Sequence, residues 1–210
     1  MSHKTLFQAI KDDHEEMYEY HDQYKRARKR NDVEAQGRWA RQLTWEVARH
    51  AVGEEIVVYP LMQKHLGQRG VELANHDREE HTRVKEDLYE LESLTAGSQE
   101  FDDLISKIMA SLHHHNDSEE IKDLPLLEPA IGREASIEAA ADFKTTKKFV
   151  PTRPHPSAPN QPPYETLVGF LAAPIDKLKD IFATFPTERE MAEAKDELKT
   201  RDHHADATQL

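Results

Sequence analysis

His50-Ala-Val-Gly-Glu54-Glu55-Ile-Val-Val-Tyr-Pro60-Leu-Met decides the fold of this chain, because it returns further along as His115-Asn-Asp-Ser-Glu119-Glu120-Ile-Lys-Asp-Leu-Pro125-Leu-Leu. The shared frame is H-x-x-x-E-E-I-x-x-x-P-L. A His and a Glu four residues apart on a helix lie one turn apart on the same face, with about 5–6 Å between their β-carbons. Each copy is therefore a two-point metal clamp. Each is also preceded, at nearly the same distance, by another histidine: His14 before His50, and His81 before His115. The chain reads as a duplicated helix pair. Four helices that each turn one histidine inward, two of them adding a carboxylate, can close around a pair of metal ions as bundle cores do.

Apolar periodicity carries this reading outward from the motif. A first helix is predicted over about Lys4 to Lys29, with Phe7, Ile10, His14, Met17, His21 and Tyr24 at spacings of three and four. The second, about Val33 to Gln63, has Leu43, Val47, His50, Glu54, Val57 and Leu61 as its seam, and Pro60 predicts a kink or an early end. The third runs from about Val71 to Leu94 along Ala74, Asp77, His81, Val84, Leu88 and Leu91. The fourth begins near Ser98 and turns Phe101, Leu104, Ile105, Ile108, Leu112, His115 and Glu119 inward. At 100° per residue Glu54 stands about 40° from His50 and Glu55 about 140°, so helical phase selects Glu54. The same argument selects His115 over His113 and His114. On the third helix it rejects His76 and makes Asp77, one turn before His81, a seventh candidate ligand. A lone inward histidine is more often a hydrogen-bonded structural residue than a ligand. Four of them with two matched carboxylates are costly to bury unless a cation compensates.

The rest of the chain is an extension of this unit, residues 1–127. An alanine-rich helix is expected over 128–150, a Pro-rich linker over 151–163 and a polar tail over 187–210. Between the last two, residues 164–186 form an amphipathic segment whose stripe of Leu167, Phe170, Leu171, Ile175, Leu178, Ile181 and Phe182 is expected to dock on the bundle. Forty acidic against 28 basic residues, a formal charge of −12, argue against general binding to nucleic acid or an acidic membrane. The basic run Lys25, Arg26, Arg28, Lys29 and Arg30 closes the first helix, where cations complement the helix dipole. No apolar run approaches the roughly 20 residues that span a bilayer, and the N-terminus lacks the apolar stretch of a secretory signal. A cytoplasmic location is the expectation. With no cysteine in the chain, any metal must be held by nitrogen and oxygen.

In this order and spacing the motifs resemble the hemerythrin family, specifically its HHE cation-binding branch, over about residues 4–127. The resemblance implies an all-α, antiparallel up-down four-helix bundle holding two non-haem irons joined by carboxylates and an oxo or hydroxo bridge. It implies that His14, His50, His81 and His115 are terminal ligands and Glu54 and Glu119 bridges. Animal hemerythrins have a further histidine where this chain has Asp77, and their last carboxylate stands at i+5 where Glu119 stands at i+4. The Asp77 departure implies an open position or an oxygen ligand on one iron, favouring oxidation of the site over reversible gas carriage. The function so implied is binding or sensing of O2 or iron rather than catalysis as the first reading, with O2 or peroxide as the small-molecule ligand. The alternatives are a di-iron oxygenase or peroxide-consuming enzyme, and a metal-storage or zinc-filled bundle. Imidazole and carboxylate donors suit iron, manganese and zinc alike. Tyr18, Tyr59 and Trp45 are candidates for the surroundings of the site.

Overall fold

Thr5 opens the first helix by a reciprocal cap: its hydroxyl accepts the Gln8 backbone N–H, and the Gln8 side chain accepts the Thr5 N–H. In the computed structural model, which describes residues 4–157, 164–181 and 183–207 and the side chains of all these but 164–171 and 202–207, this helix is α1, Leu6–Lys29. Asn31, at φ 55°, turns the chain, and the Asp32 carboxylate caps α2, Val33–His65. α2 continues through Pro60, so the early end that this residue predicts does not occur. α3, Gly67–Leu91, follows at once. The sharp turn between them needs glycine at position 70, where a β-carbon would stand 1.9 Å from the Met62 carbonyl oxygen. Ser98 caps α4, Gln99–Ser118.

The end of α4 departs from regular geometry. Glu119–Asp123 form a π-helical turn, in which the Leu124 N–H reaches back five residues to the Glu119 carbonyl. α5, Leu124–Ile131, then starts with Pro125 in its first turn, where a missing N–H costs little. α6, Arg133–Thr146, α7, Tyr164–Ile181, and α8, Glu188–Ala207, complete the described elements.

α1 packs on α2, α2 on α3 and α3 on α4 in the order that short connections dictate, and the Tyr24 hydroxyl joins α1 to Asp102 of α4. The core is divided in two. One apolar cluster is built around Met17, Tyr24, Leu43, Val47, Val84, Leu88, Ile105 and Ile108. The other is built around Leu6, Ile10, Val58, Tyr59, Met62, Ala74, Leu124 and Leu127. The chain passes from one cluster to the other through each histidine: His14 between Ile10 and Met17, His50 between Val47 and Val58, His81 between Ala74 and Val84, and His115 between Leu112 of α4 and Leu124 of α5. A polar layer is thus held between two apolar ones.

The extension covers the α1–α2 face. α6 packs on both helices, with Phe143 and Ala139 in the second cluster and the Ser136 hydroxyl accepting the Leu6 N–H at 2.8 Å. α8 lies along α1, tied by Arg26 to Glu197 and by Arg201 to Glu19. On α7 the expected docking stripe does not face inward where it is described. Ile175, Leu178 and Ile181 are exposed, whereas Ala173 and Asp176 are buried, Asp176 because it accepts the Thr152 N–H and pairs with His155. The side chains of Leu167, Phe170, Leu171 and Phe182 lie outside the described set. Among the described residues no helix is long and apolar enough to cross a membrane.

Candidate metal centre

The four seam histidines meet in two pairs. His14 Nε2 lies 3.2 Å from His50 Nε2, and His81 Nε2 lies 2.9 Å from His115 Nε2. Glu54 spans the pairs, with Oε1 3.1 Å from His50 Nε2 and Oε2 3.4 Å from His81 Nε2. Glu119 faces both from the other side, its Oε2 3.7 Å from His14 Nε2 and 3.6 Å from His115 Nε2. All six side chains are buried, and donor atoms of His14, His50, Glu54 and Glu119 lie within 4.8 Å of one another, as do those of Glu54, His81 and His115. Phase on single helices therefore selects six residues that the bundle does bring together.

What phase misses is the ring of carboxylates outside them. Asp13 Oδ2 is 3.1 Å from His50 Nδ1, Glu55 Oε1 3.1 Å from His81 Nδ1, Glu80 Oε2 2.9 Å from His115 Nδ1, and Glu120 Oε1 2.9 Å from His14 Nδ1. Each bundle helix, with the π turn continuing α4, hands one carboxylate to the imidazole of the next. Glu55 is thus far from idle: it points away from His50 and toward His81. The signal was present in the repeat, as the second Glu of each H-x-x-x-E-E and as the acid before each lone histidine, Asp13-His14 and Glu80-His81.

This ring fixes the chemistry of the centre. A carboxylate on Nδ1 takes that nitrogen's proton as a donated hydrogen bond, so Nε2 carries the bare lone pair. Two lone pairs facing each other at 3.2 and 2.9 Å repel unless a metal ion or a proton lies between them. Nitrogens about 2.1 Å from one metal ion, at roughly 90–110° to each other, stand about 3.0–3.4 Å apart, close to the spacing observed. Lysines back three of the four carboxylates: Lys147 pairs with Asp13 and also Glu46, Lys85 with Glu55 at 2.6 Å, and Lys11 with Glu120 at 3.3 Å.

The inner carboxylates also ask for positive charge. No oxygen of Glu54, Glu119 or Asp77 accepts a well-aligned hydrogen bond, although all three side chains are buried. Burial raises Glu119 well above the usual carboxylate range, and the charges of Glu54, Asp77 and Asp123 add to this. Burial also opposes ionisation of Glu54, but His50 and His81 outweigh it and hold that group well below its ordinary value. Burial lowers His50, yet Glu54 and Asp13 together lift it to about 9, while burial and His81 bring His115 down to about 4. Asp77 is pushed up to about 8 by burial and by Asp123. A centre of nitrogen lone pairs and unbonded carboxylates, without thiols, fits hard or borderline divalent cations.

Of the other residues that the sequence singles out, Asp77 is buried but belongs to neither donor group of the centre; it comes together with His76 and Glu80. His113 stacks on Tyr18 at 4.1 Å between ring centroids, and His114 is exposed. The Tyr59 hydroxyl, fully buried, lies 3.1 Å from His81 Nε2. Tyr18 accepts a hydrogen bond from Asn116, and Trp45 sits under the Arg49 guanidinium, away from the centre.

Two comparisons with known proteins bear on this site. Residues 5–127 match the family model described as the hemerythrin HHE cation binding domain. Over 163 residues the chain is 49% identical to a hemerythrin-like protein of Schizosaccharomyces pombe, covering 78% of this chain and 80% of that protein. No solved structure matches the chain at a significant level.

Proposed function

The chain belongs to the hemerythrin HHE cation-binding family, and on that premise we propose that it is a non-haem di-iron protein that binds or senses O2 or iron. His14 and His50 would hold one ion and His81 and His115 the other, with Glu54 and Glu119 placed to reach both. The observation that carries this reading is the pairing of four Nε2 atoms at 3.2 and 2.9 Å with Glu54 spanning the pairs. Iron held there would supply redox chemistry and a place for O2 or peroxide to bind.

The protein's own residues set the conditions. Asp13, Glu55, Glu80 and Glu120 hold the four rings in one orientation and one tautomer. The two apolar clusters above and below the polar layer keep bulk water from it. Burial and the surrounding carboxylates raise the Tyr59 phenol well above its ordinary value, so it stays a neutral hydrogen-bond donor beside His81. A groove of about 960 Å³ over α1, α2 and α6 reaches Asp13, Phe143 and Lys147. These three stand between it and the His50 ring, whose Nε2 faces inward. That arrangement favours a small diatomic or peroxidic ligand over an organic substrate.

The test is metal analysis of protein purified without oxygen, followed by its optical spectrum on exposure to air. About two irons per chain and a visible change on oxygenation are expected. His50→Ala and His115→Ala should each lower iron content, and undiminished iron in both variants would overturn the assignment. Zinc in place of iron, with no response to air, would favour a structural bundle.

A further inference from the structure

Three of the four carboxylates that hold an imidazole Nδ1 are backed by an ammonium group: Asp13 by Lys147, Glu55 by Lys85 and Glu120 by Lys11. Glu80, the fourth, pairs with no lysine or arginine among the described residues. Its Oε2 accepts the His115 Nδ1–H at 2.9 Å, while its Oε1 faces His76 Nε2 at 3.6 Å and His114 Nε2 at 3.9 Å. Beside it Asp77, at 0% exposure, leaves both carboxylate oxygens without a hydrogen-bond partner. One donor atom each of His76, Asp77 and Glu80 lies within 4.8 Å of the others.

We propose that His76, Asp77 and Glu80 form a third divalent-cation site, outside the His81/His115 pair, in which an exchangeable ion takes the place that lysine occupies behind the other three carboxylates. The residue types fit that role. One imidazole and two carboxylates suit Zn2+, Mn2+ or Fe2+, and three protein donors leave positions for water, as an exchangeable site requires. Helix geometry supplies the pair His76 and Glu80, one turn apart on α3, and Asp77, one turn before Glu80, adds a buried carboxylate from the interior side. His76, with 56% of its side chain exposed, opens the site to solvent, and Asp77 closes it from within. Asp123, buried and with one carboxylate oxygen unpartnered, adds negative charge behind Asp77. A cation there would neutralise Asp77 and polarise Glu80, and through Glu80 it would bear on His115. The inference rests on the di-metal reading only for the role of Glu80 beside His115.

The experiment counts Zn2+ bound by the full-length chain after metal has been removed with a chelator, by calorimetry and equilibrium dialysis. Three Zn2+ per chain are expected for the wild type and two for His76→Ala, whose exposed position keeps folding out of the question. His113→Ala, another exposed histidine but one stacked on Tyr18, should still bind three. Equal Zn2+ in His76→Ala and wild type would overturn the proposal, as would equal losses in the His76 and His113 variants. His50→Ala separates this from the reading of the centre: it should lose a central ion and keep the one that depends on His76. If His50→Ala loses nothing while His76→Ala loses one ion, the central assignment fails and the third site stands.

Discussion

Replacing Glu55 by methionine tests whether the outer carboxylates act on the metal centre or only on folding. Glu55 is fully buried, lies 3.1 Å from His81 Nδ1 and accepts Lys85 Nζ at 2.7 and 2.6 Å. Removing it strands a lysine with 12% of its side chain exposed and leaves a histidine N–H without its acceptor. Breaking a buried pair from one side costs about 3–5 kcal/mol, and because the Lys85 ammonium can still reach water the expected loss is about 3 kcal/mol in metal-free protein. Loss of a carboxylate behind a ligating histidine typically costs about 10–100-fold in metal affinity, so the same variant should bind metal that much more weakly. Adding Lys85→Met separates the two effects. The double variant replaces the pair by apolar groups of similar volume, which is often close to neutral for stability. It does not give His81 back its acceptor, since the Tyr59 hydroxyl at 3.4 Å from Nδ1 is too distant to serve. Denaturant unfolding of the chelated protein and competition with a chromophoric chelator measure the two quantities. Recovery of stability with affinity still depressed is the expected result. If affinity returns along with stability, Glu55 is a folding residue only and the orienting role is refuted.

Other consequences follow from the same packing. Lys147→Met should destabilise the protein by about 3–5 kcal/mol, because it leaves Asp13 and Glu46 facing each other without their shared ammonium. Burial lowers the Lys147 pKa, but Glu46 and Asp13 outweigh it and raise the group above 10.5. The stabilisation is therefore complete below 10.5 and fades as pH rises through the higher folded value, so a wild-type loss of stability in that alkaline window should be missing from the variant. Gly70→Ala places a β-carbon 1.9 Å from the Met62 carbonyl oxygen, so the α2–α3 turn must shift; a loss of about 3 kcal/mol or more is expected, and an unchanged Tm would refute it. Gly53→Ala drives a methyl to 2.8 Å from the Phe143 ring, which itself packs edge-on against His50 at 5.6 Å. About 1–3 kcal/mol should be lost, with α6 loosened from the bundle, and hydrogen exchange confined to residues 133–146 would report it.

Helical phase is a strong guide within one helix and a blind one between helices. It finds His14, His50, Glu54, His81, His115 and Glu119 because each lies on the apolar seam of its own helix and the seams must meet. It discards Glu55 because that residue turns away from His50, although the same turn aims it at His81 on α3. The path through Pro60 and the π turn at Glu119–Asp123 are equally out of its reach, since a proline marks a missing donor without saying how the neighbouring backbone compensates. Lys147 is 134 residues from Asp13, and nothing local in either stretch points to the other. On α7 periodicity misleads: Ile175, Leu178 and Ile181 share a stripe, but Asp176 makes the buried polar contacts.

The duplication explains why the ring closes only in the full bundle. The acid before each lone histidine serves its own repeat, Asp13 holding His50 and Glu80 holding His115. The second Glu of each H-x-x-x-E-E serves the other repeat, Glu55 holding His81 and Glu120 holding His14. Glu54 likewise reaches across, from His50 of its own repeat to His81 of the other. Neither helix pair can orient both of its histidines alone. One half of the duplicated unit would present one imidazole held and one free, so metal binding and folding of the two halves are bound to be linked.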